Sequence, residues 1–223
     1  MINAFTLLKR KPGLSVAEFQ RYWRHEHADL IARLPGVKRY VQSHVLGEYH
    51  QGKEPIYDGI AELSVNNSQA FRDISTSDAY AAVQADEERF LDRTAIALVL
   101  TDEHVIRDGP VVDDSVKRIR LFNRRHDLPF DEFQACWRDQ HGPLIATLPS
   151  LDRYVQYHAR PGGYAKGRQP AYDGFDIAWF DSADALREAV NSTVSDRDRS
   201  EQGSFLVAGD CPQIVAREYV IIS

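Results

Sequence analysis

Apolar and polar positions change period several times along the first hundred residues. Residues 2–8 alternate and are apolar enough for a strand, which Lys9-Arg10-Lys11 ends. From Val16 the apolar positions fall three and four apart, through Phe19, Trp23, Leu30, Ile31 and Leu34, with His27 inside the same stripe. That rhythm makes one face of a helix. Ser15 and Glu18 have the S-x-x-E spacing of a capping box that starts it, and Pro35-Gly36 stops it. Residues 37–45 and 57–64 read as strands, and 98–106, rich in Leu, Val and Ile, as a last one. Between the last two lies a helical stretch, 67–94, broken near Ser75-Thr76-Ser77. The order strand, helix, strand, strand, helix, strand is the split β-α-β of ferredoxin-like modules.

The pattern is then written a second time. Trp23, His27, Tyr40, Gln42 and His44 recur as Trp137, His141, Tyr154, Gln156 and His158, each 114 residues on (137 − 23 = 114). Past the following loop the offset becomes 115, so that Tyr57-Asp58-Gly59 recurs as Tyr172-Asp173-Gly174 and Phe90-Leu91 as Phe205-Leu206. The sequence therefore predicts an α+β protein of two tandem modules, residues 1–110 and 111–223, joined through the turn-rich, acidic stretch 108–115. A four-stranded sheet with helices on one face leaves its other face to be buried. Two modules in one chain can bury each other's, and the expectation is a pseudo-twofold, intramolecular α+β barrel.

Composition narrows the partners. A net charge of −6 without a basic stripe argues against nucleic acid and against an anionic membrane surface. No apolar run reaches membrane-spanning length, and no signal peptide is read at the N-terminus, so the cytoplasm is the expected location. Cys136 and Cys211 lack the spacing of a metal or redox pair. His25 and His27, two apart on a helix, point to different faces, and the H-E-x-x-H spacing is absent, so no metal site is expected. A glycine-rich phosphate loop and a G-x-S-x-G elbow are also missing.

What remains is a row of polar side chains at core positions. Alternation along a strand puts Tyr40, Gln42 and His44 on one face, as it does Tyr154, Gln156 and His158. If that face looks toward the helix stripe, His27, Tyr40 and His44 converge on one pocket, with His141, Tyr154 and His158 as its copy. Looking the other way, they form a structural network instead. The convergent arrangement is the expectation. Imidazole is the side chain best matched to proton transfer near neutral pH. Trp23, Gln42, Trp137 and Gln156 would line such pockets. His50, in the glycine-flanked loop 47–55, which has the build of a lid or of a plain long hairpin connection, has no counterpart in the second copy.

The string F-x-x-Y-W-x-x-x-H, then P-G-V-x-R-Y-V-Q-S-H, then Y-D-G, resembles the EthD-type family of the dimeric α+β barrel group. Phe19, Tyr22, Trp23, His27, Pro35, Gly36, Tyr40, Gln42 and His44 carry it in the first half; Phe133, Trp137, His141, Pro149, Tyr154, Gln156 and His158 carry it in the second. The second copy departs at Cys136, where the first has Tyr22, and at Ser150, where it has Gly36. The resemblance implies a site built on the histidine of the first helix and the tyrosine of the next strand. It implies a cofactor-independent lyase or isomerase acting on a small aromatic, lactone or polyketide-like compound. His27, Tyr40, His44, His141, Tyr154 and His158 would be catalytic, and Trp23, Gln42, His50, Trp137 and Gln156 substrate-binding. A haem- or oxygen-dependent oxidoreductase and a non-catalytic ligand-binding module are the alternatives, and a homodimer is left open. Replacing His27 and His141 together by Ala is expected to remove most turnover.

Overall fold

The computed structural model describes residues 1–50, 52–207 and 211–223. Its contacts divide the chain into two units, Met1–Thr101 with Glu218–Ser223, and Asp102–Arg217.

In the first unit, β1 (Ile2–Leu8) lies between β3 (Gly59–Val65) and β4 (Ala97–Arg107), and β3 also pairs β2 (Val37–Val45), all antiparallel. The register sets Thr6 beside Ala61 and Leu98, and Ala4 beside Leu63 and Leu100. One helical run crosses this sheet as α1 (Val16–Tyr22), a π-helical turn (Trp23–His27) and α2 (Ala28–Ile31). Ser15 caps it with the reciprocal Glu18 bonds that the S-x-x-E spacing called for. Two more helices follow β3, α3 (Ser68–Ser75) and α4 (Asp78–Phe90), each with a side-chain N-cap, Asn67 and Ser77.

The π turn has a reason in the spacing. Phe19, Trp23, His27 and Ile31 are all buried and all four residues apart. In an α-helix each such step falls about 40° further round the axis, which over three steps would carry the last side chain off the core face. The wider turn at Trp23–His27 absorbs that drift.

The second unit repeats the plan. Its β5 (Val116–Phe122) pairs β7 (Gly174–Phe180) and β8 (Gln213–Ile222), and β7 also pairs β6 (Arg153–Ala159). Across the sheet run α5 (Phe130–Cys136), a π turn (Trp137–His141) and α6 (Gly142–Ile145), followed by α7 (Ala183–Val190) and α8 (Thr193–Glu201). Every residue of β5 and β7 is buried. Each module is the expected ferredoxin-like β-α-β-β-α-β; in the first, the strands lie within two residues of those read from the sequence, while the two helical stretches end three to four residues sooner, at Ile31 and Phe90.

Asp58 and Asp173 are explained by the strand ends they hold. Asp58 accepts the Arg10 backbone N–H at 3.0 Å and pairs with the Arg10 guanidinium; Asp173 accepts the Arg124 N–H at 2.9 Å and the Tyr164 hydroxyl. The glycines after them answer to a different need. A β-carbon on Gly59 would stand inside the Trp23 ring, and one on Gly174 inside that of Trp137.

Candidate active site

Trp23 is the centre of the first module's polar network. Its ring stacks on Phe19 at 5.6 Å and on His44 at 4.6 Å. Its Nε1 donates to the Tyr40 hydroxyl at 3.0 Å, and its carbonyl, at the start of the π turn, accepts from Gln42 Nε2 at 2.9 Å. The same amide donates to the Tyr40 hydroxyl at 3.0 Å, while Gln42 Oε1 lies 3.0 Å from His44 Nε2. An amide oxygen only accepts, so His44 carries its proton on Nε2. The row Tyr40, Gln42, His44 therefore faces the helix.

Beneath this helix lies a cavity of about 520 Å³. Trp23, His27 and Tyr40 are on its wall; Gln42, His44 and His50 are not. Gln42 and His44 are buried behind Trp23, and burial, with Arg24 and His25 nearby, lowers the His44 pKa to about 3. His44 is neutral at physiological pH, with its Nε2 proton donated to Gln42 and its ring behind Trp23, off the cavity wall. His50 sits in a short 3-10 turn, Gly47–His50, near Asp58 and Lys9, and the substrate-binding expectation finds no support in its position. His25 is exposed while His27 is buried, as their spacing required.

His27 and Tyr40 each have one hydrogen-bonding direction committed and one left over. His27 Nδ1 lies 2.9 Å from Asp86 Oδ2, so the carboxylate holds the proton on Nδ1 and leaves the Nε2 lone pair without a protein partner among the described residues. Burial pushes this imidazole below its ordinary pKa, against the pull of Asp86. Tyr22 donates to the other Asp86 oxygen at 2.6 Å. Tyr40 accepts two hydrogen bonds, from Trp23 and Gln42, so its own O–H has no acceptor among the described residues. Burial pushes the phenol well above its usual range, and the hydroxyl stays protonated. A neutral base and a free hydroxyl donor thus share one largely apolar cavity. Asp86 and Tyr22 had no functional reading from the sequence. Asp86 stands in the run Ala85-Asp86-Glu87-Glu88-Arg89, which looks like a solvated helix face, although it falls four residues before the core residue Phe90.

The second module keeps the network and fills the space. Trp137 stacks on His158 at 4.3 Å, and Gln156 Nε2 donates to the Trp137 carbonyl at 2.9 Å and to the Tyr154 hydroxyl at 3.3 Å. Burial, helped by His104 and Arg138, lowers the His158 pKa to about 3, so it too is neutral at neutral pH. At the positions equivalent to Ala4, Thr6, Ala61 and Val83 stand Arg118, Arg120, Asp176 and Asp198, all four buried. Arg120 Nε reaches both Asp176 oxygens at 3.0 and 3.1 Å, and its Nη1 binds Asp198. Tyr154 donates to Asp176 at 2.9 Å, and His141 Nε2 bonds Asp198. Burial works to raise the Asp198 carboxyl, but Arg120 and His141 outweigh it and leave it well below the carboxylate range. Trp137 Nε1 and His141 Nδ1 are left without partners, because Tyr154 turns to Asp176 and the residue equivalent to Asp86, Glu201, pairs instead with Arg197 at 2.7 Å.

Tandem ferredoxin-like modules with a His-Tyr cavity under the first helix define the class, and the family follows. The chain belongs to the EthD domain family, whose model matches residues 11–94 and 125–198. No curated protein sequence matches it. Among solved structures, an anthrone oxidase-like protein matches at TM-score 0.70 with 10% identity, over 99% of this chain and 93% of that one. A proposed monooxygenase from Lactobacillus acidophilus NCFM matches at 0.59 with 9% identity, over 98% and 94%. A protein described as a chlorite dismutase, TA0507, matches at 0.57 with 13% identity, over 98% and 94%. These likenesses show the fold, of the dimeric α+β barrel type, and nothing of the reaction. Among the described residues no helix is long and apolar enough to cross a membrane.

Proposed function

We propose that the first module is the active site of a cofactor-independent enzyme that moves a proton on a small enolisable or phenolic carbonyl compound, in an isomerisation, cyclisation or decarboxylation. The observation that carries this reading is the pair of uncommitted groups, His27 Nε2 and the Tyr40 O–H, on one apolar cavity wall. His27 takes the proton from the carbon beside the carbonyl, or from the phenol. Tyr40 donates to the oxygen on which charge develops, from a largely apolar wall. Asp86 fixes the tautomer and stabilises the imidazolium, and the 2.6 Å bond from Tyr22 holds Asp86 in place.

The second module supports the same reading by contrast. There the two directions left open in the first are taken by carboxylates, Asp176 on the tyrosine and Asp198 on the histidine. Both carboxylates sit on the single guanidinium of Arg120, which makes the cluster a built-in occupant with oxygens where a ligand's would fall. His141 and Tyr154 are positioning groups within that cluster, and the catalytic site is one per chain.

Deuterium exchange at C1 of 2-tetralone, followed by proton NMR, tests the reading. The wild-type chain is expected to accelerate exchange, and His27→Ala to lower the enzymatic rate by on the order of 10²-fold or more. An unchanged rate in a folded H27A protein refutes it. The names of the solved neighbours support an oxidative second reading, in which the same deprotonated ligand passes electrons to dioxygen; oxygen uptake with a phenolic ketone separates the two. Were haem bound here, His27 Nε2 and Arg93 on the cavity wall would be the residues to hold it, and the group would supply oxidative chemistry. Haemin titration read at the Soret band decides it.

A further inference from the structure

The cavity wall carries a third ionisable group that the proposed reaction has not used. Glu87 stands on α4, one residue after Asp86 and one turn after Val83, and lines the cavity with His27 and Tyr40. Among the described residues its carboxyl has no recorded hydrogen-bond partner. The cation at this end of the helix, Arg93, bonds Glu88 at 3.2 Å instead. The charges that reach Glu87 are those of Arg93, from the turn that follows, and Asp86, from its own helix; the Glu87 charge in turn raises the phenols of Tyr40 on β2 and Tyr80 on α4. In the second module the equivalent residue is Gln202, which cannot transfer a proton and bonds Asp198.

We infer that Glu87 is the second proton-transfer group of this cavity, a general acid that returns a proton to the ligand at a different atom from the one His27 deprotonates. This rests on the proton-transfer reading of the His27 site. The step balances without a co-reactant. With a β,γ-unsaturated ketone, His27 Nε2 takes the proton from the α carbon, and that C–H pair becomes the dienolate. The oxygen of the dienolate is held by the Tyr40 O–H, and the γ carbon takes the proton from the Glu87 carboxyl as the double bond moves into conjugation. The His27 imidazolium and the Glu87 carboxylate then reset by exchange with solvent. Burial raises the Glu87 pKa, with Asp86 adding and Arg93 opposing, and lowers that of His27. The two shifts bring the protonated acid and the free base toward a common pH range.

The probe is 3,4,5,6,7,8-hexahydronaphthalen-2(1H)-one, a bicyclic β,γ-unsaturated ketone that fits the cavity. Two readouts are taken on the full chain: exchange of its C1 protons in D2O by NMR, and formation of the conjugated enone by ultraviolet absorbance. Glu87→Gln, which the second module shows the fold accepts, is expected to keep exchange within a few-fold of wild type. It should lose enone formation by on the order of 10²-fold, and Glu87→Asp should restore part of it. Enone formation by folded E87Q within threefold of wild type, with H27A inactive, overturns the assignment of Glu87 and leaves that of His27 standing. Loss of both readouts together in E87Q also overturns it, since Glu87 would then act through His27. A wild-type chain that neither exchanges nor conjugates the probe overturns both readings.

Discussion

His44 shows how one imidazole can be conspicuous in sequence and yet stand off the cavity wall. Its ring lies flat on Trp23, its Nε2 proton is held by Gln42, and its pKa is lowered to about 3 by burial and by the positive charge of Arg24. A buried neutral histidine has a consequence for stability whose sign is fixed. The unfolded chain binds a proton at His44 once pH falls below about 6.5, while the folded chain does so only near 3, so stability is full above that window and is lost as pH falls through it. Comparing wild type with His44→Phe by urea unfolding isolates the effect. Between pH 6.5 and 4.5 the two proteins should diverge by on the order of 2 kcal/mol, with wild type the more acid-sensitive. Parallel pH profiles in the two proteins would show that His44 titrates normally. At this scale the sequence revealed position but not role. Strand alternation placed Tyr40, Gln42 and His44 on one face, yet which of them reaches the cavity depends on the Trp23 ring lying over the other two.

The helix over the sheet is the element that turns these residues into a site, and its π turn was legible only in part. Four buried positions at a constant spacing of four, Phe19, Trp23, His27 and Ile31, are more than an ideal α-helix keeps on one face, and that surplus is the one trace the wide turn leaves in the sequence. The strands and caps were legible because Ser15–Glu18 and the alternation of 37–45 are local signals. Gly59 was read only as part of the repeated Tyr-Asp-Gly string, and its need proves to be one of space, which no local signal reports. Gly59→Ala puts a β-carbon into the Trp23 ring, and the expected cost is about 1–3 kcal/mol from overpacking. Because Trp23 also donates to Tyr40, the same change should move Trp23 fluorescence and weaken 2-tetralone exchange in protein that remains folded. A G59A protein with wild-type melting temperature and spectrum would mean that the indole has room that the structure does not show.

Across the whole chain the repeat was read from what the two copies share, and the shared residues turn out to be those that hold the backbone and the Trp-centred network. What differs between the copies is the space around that network. Ala4, Thr6, Ala61 and Val83 leave a cavity in the first module, while Arg118, Arg120, Asp176 and Asp198 occupy the equivalent positions in the second. Those differences were present in the sequence at the same offsets. They could not be weighed, because an alternating Arg-x-Arg on a strand reads as solvent-facing until the strand is known to be buried on both faces. Removing one partner from this cluster should be severe. Asp176→Ala leaves Arg120 short of a bidentate partner in a buried setting, at an expected cost of roughly 3–5 kcal/mol. Exchanging the four residues together is a different experiment, since it removes both signs of charge and installs a set that the same fold already tolerates. The chain carrying R118A, R120T, D176A and D198V is therefore expected to fold and to free His141 Nε2 and the Tyr154 hydroxyl. Calorimetric titration with 2-tetralone should then rise from one equivalent per chain in wild type to two. Two equivalents already bound by wild type would mean that the carboxylates of the second module do not occupy a ligand's place. The quadruple variant binding only one would mean that the cavity needs more than those four positions to open.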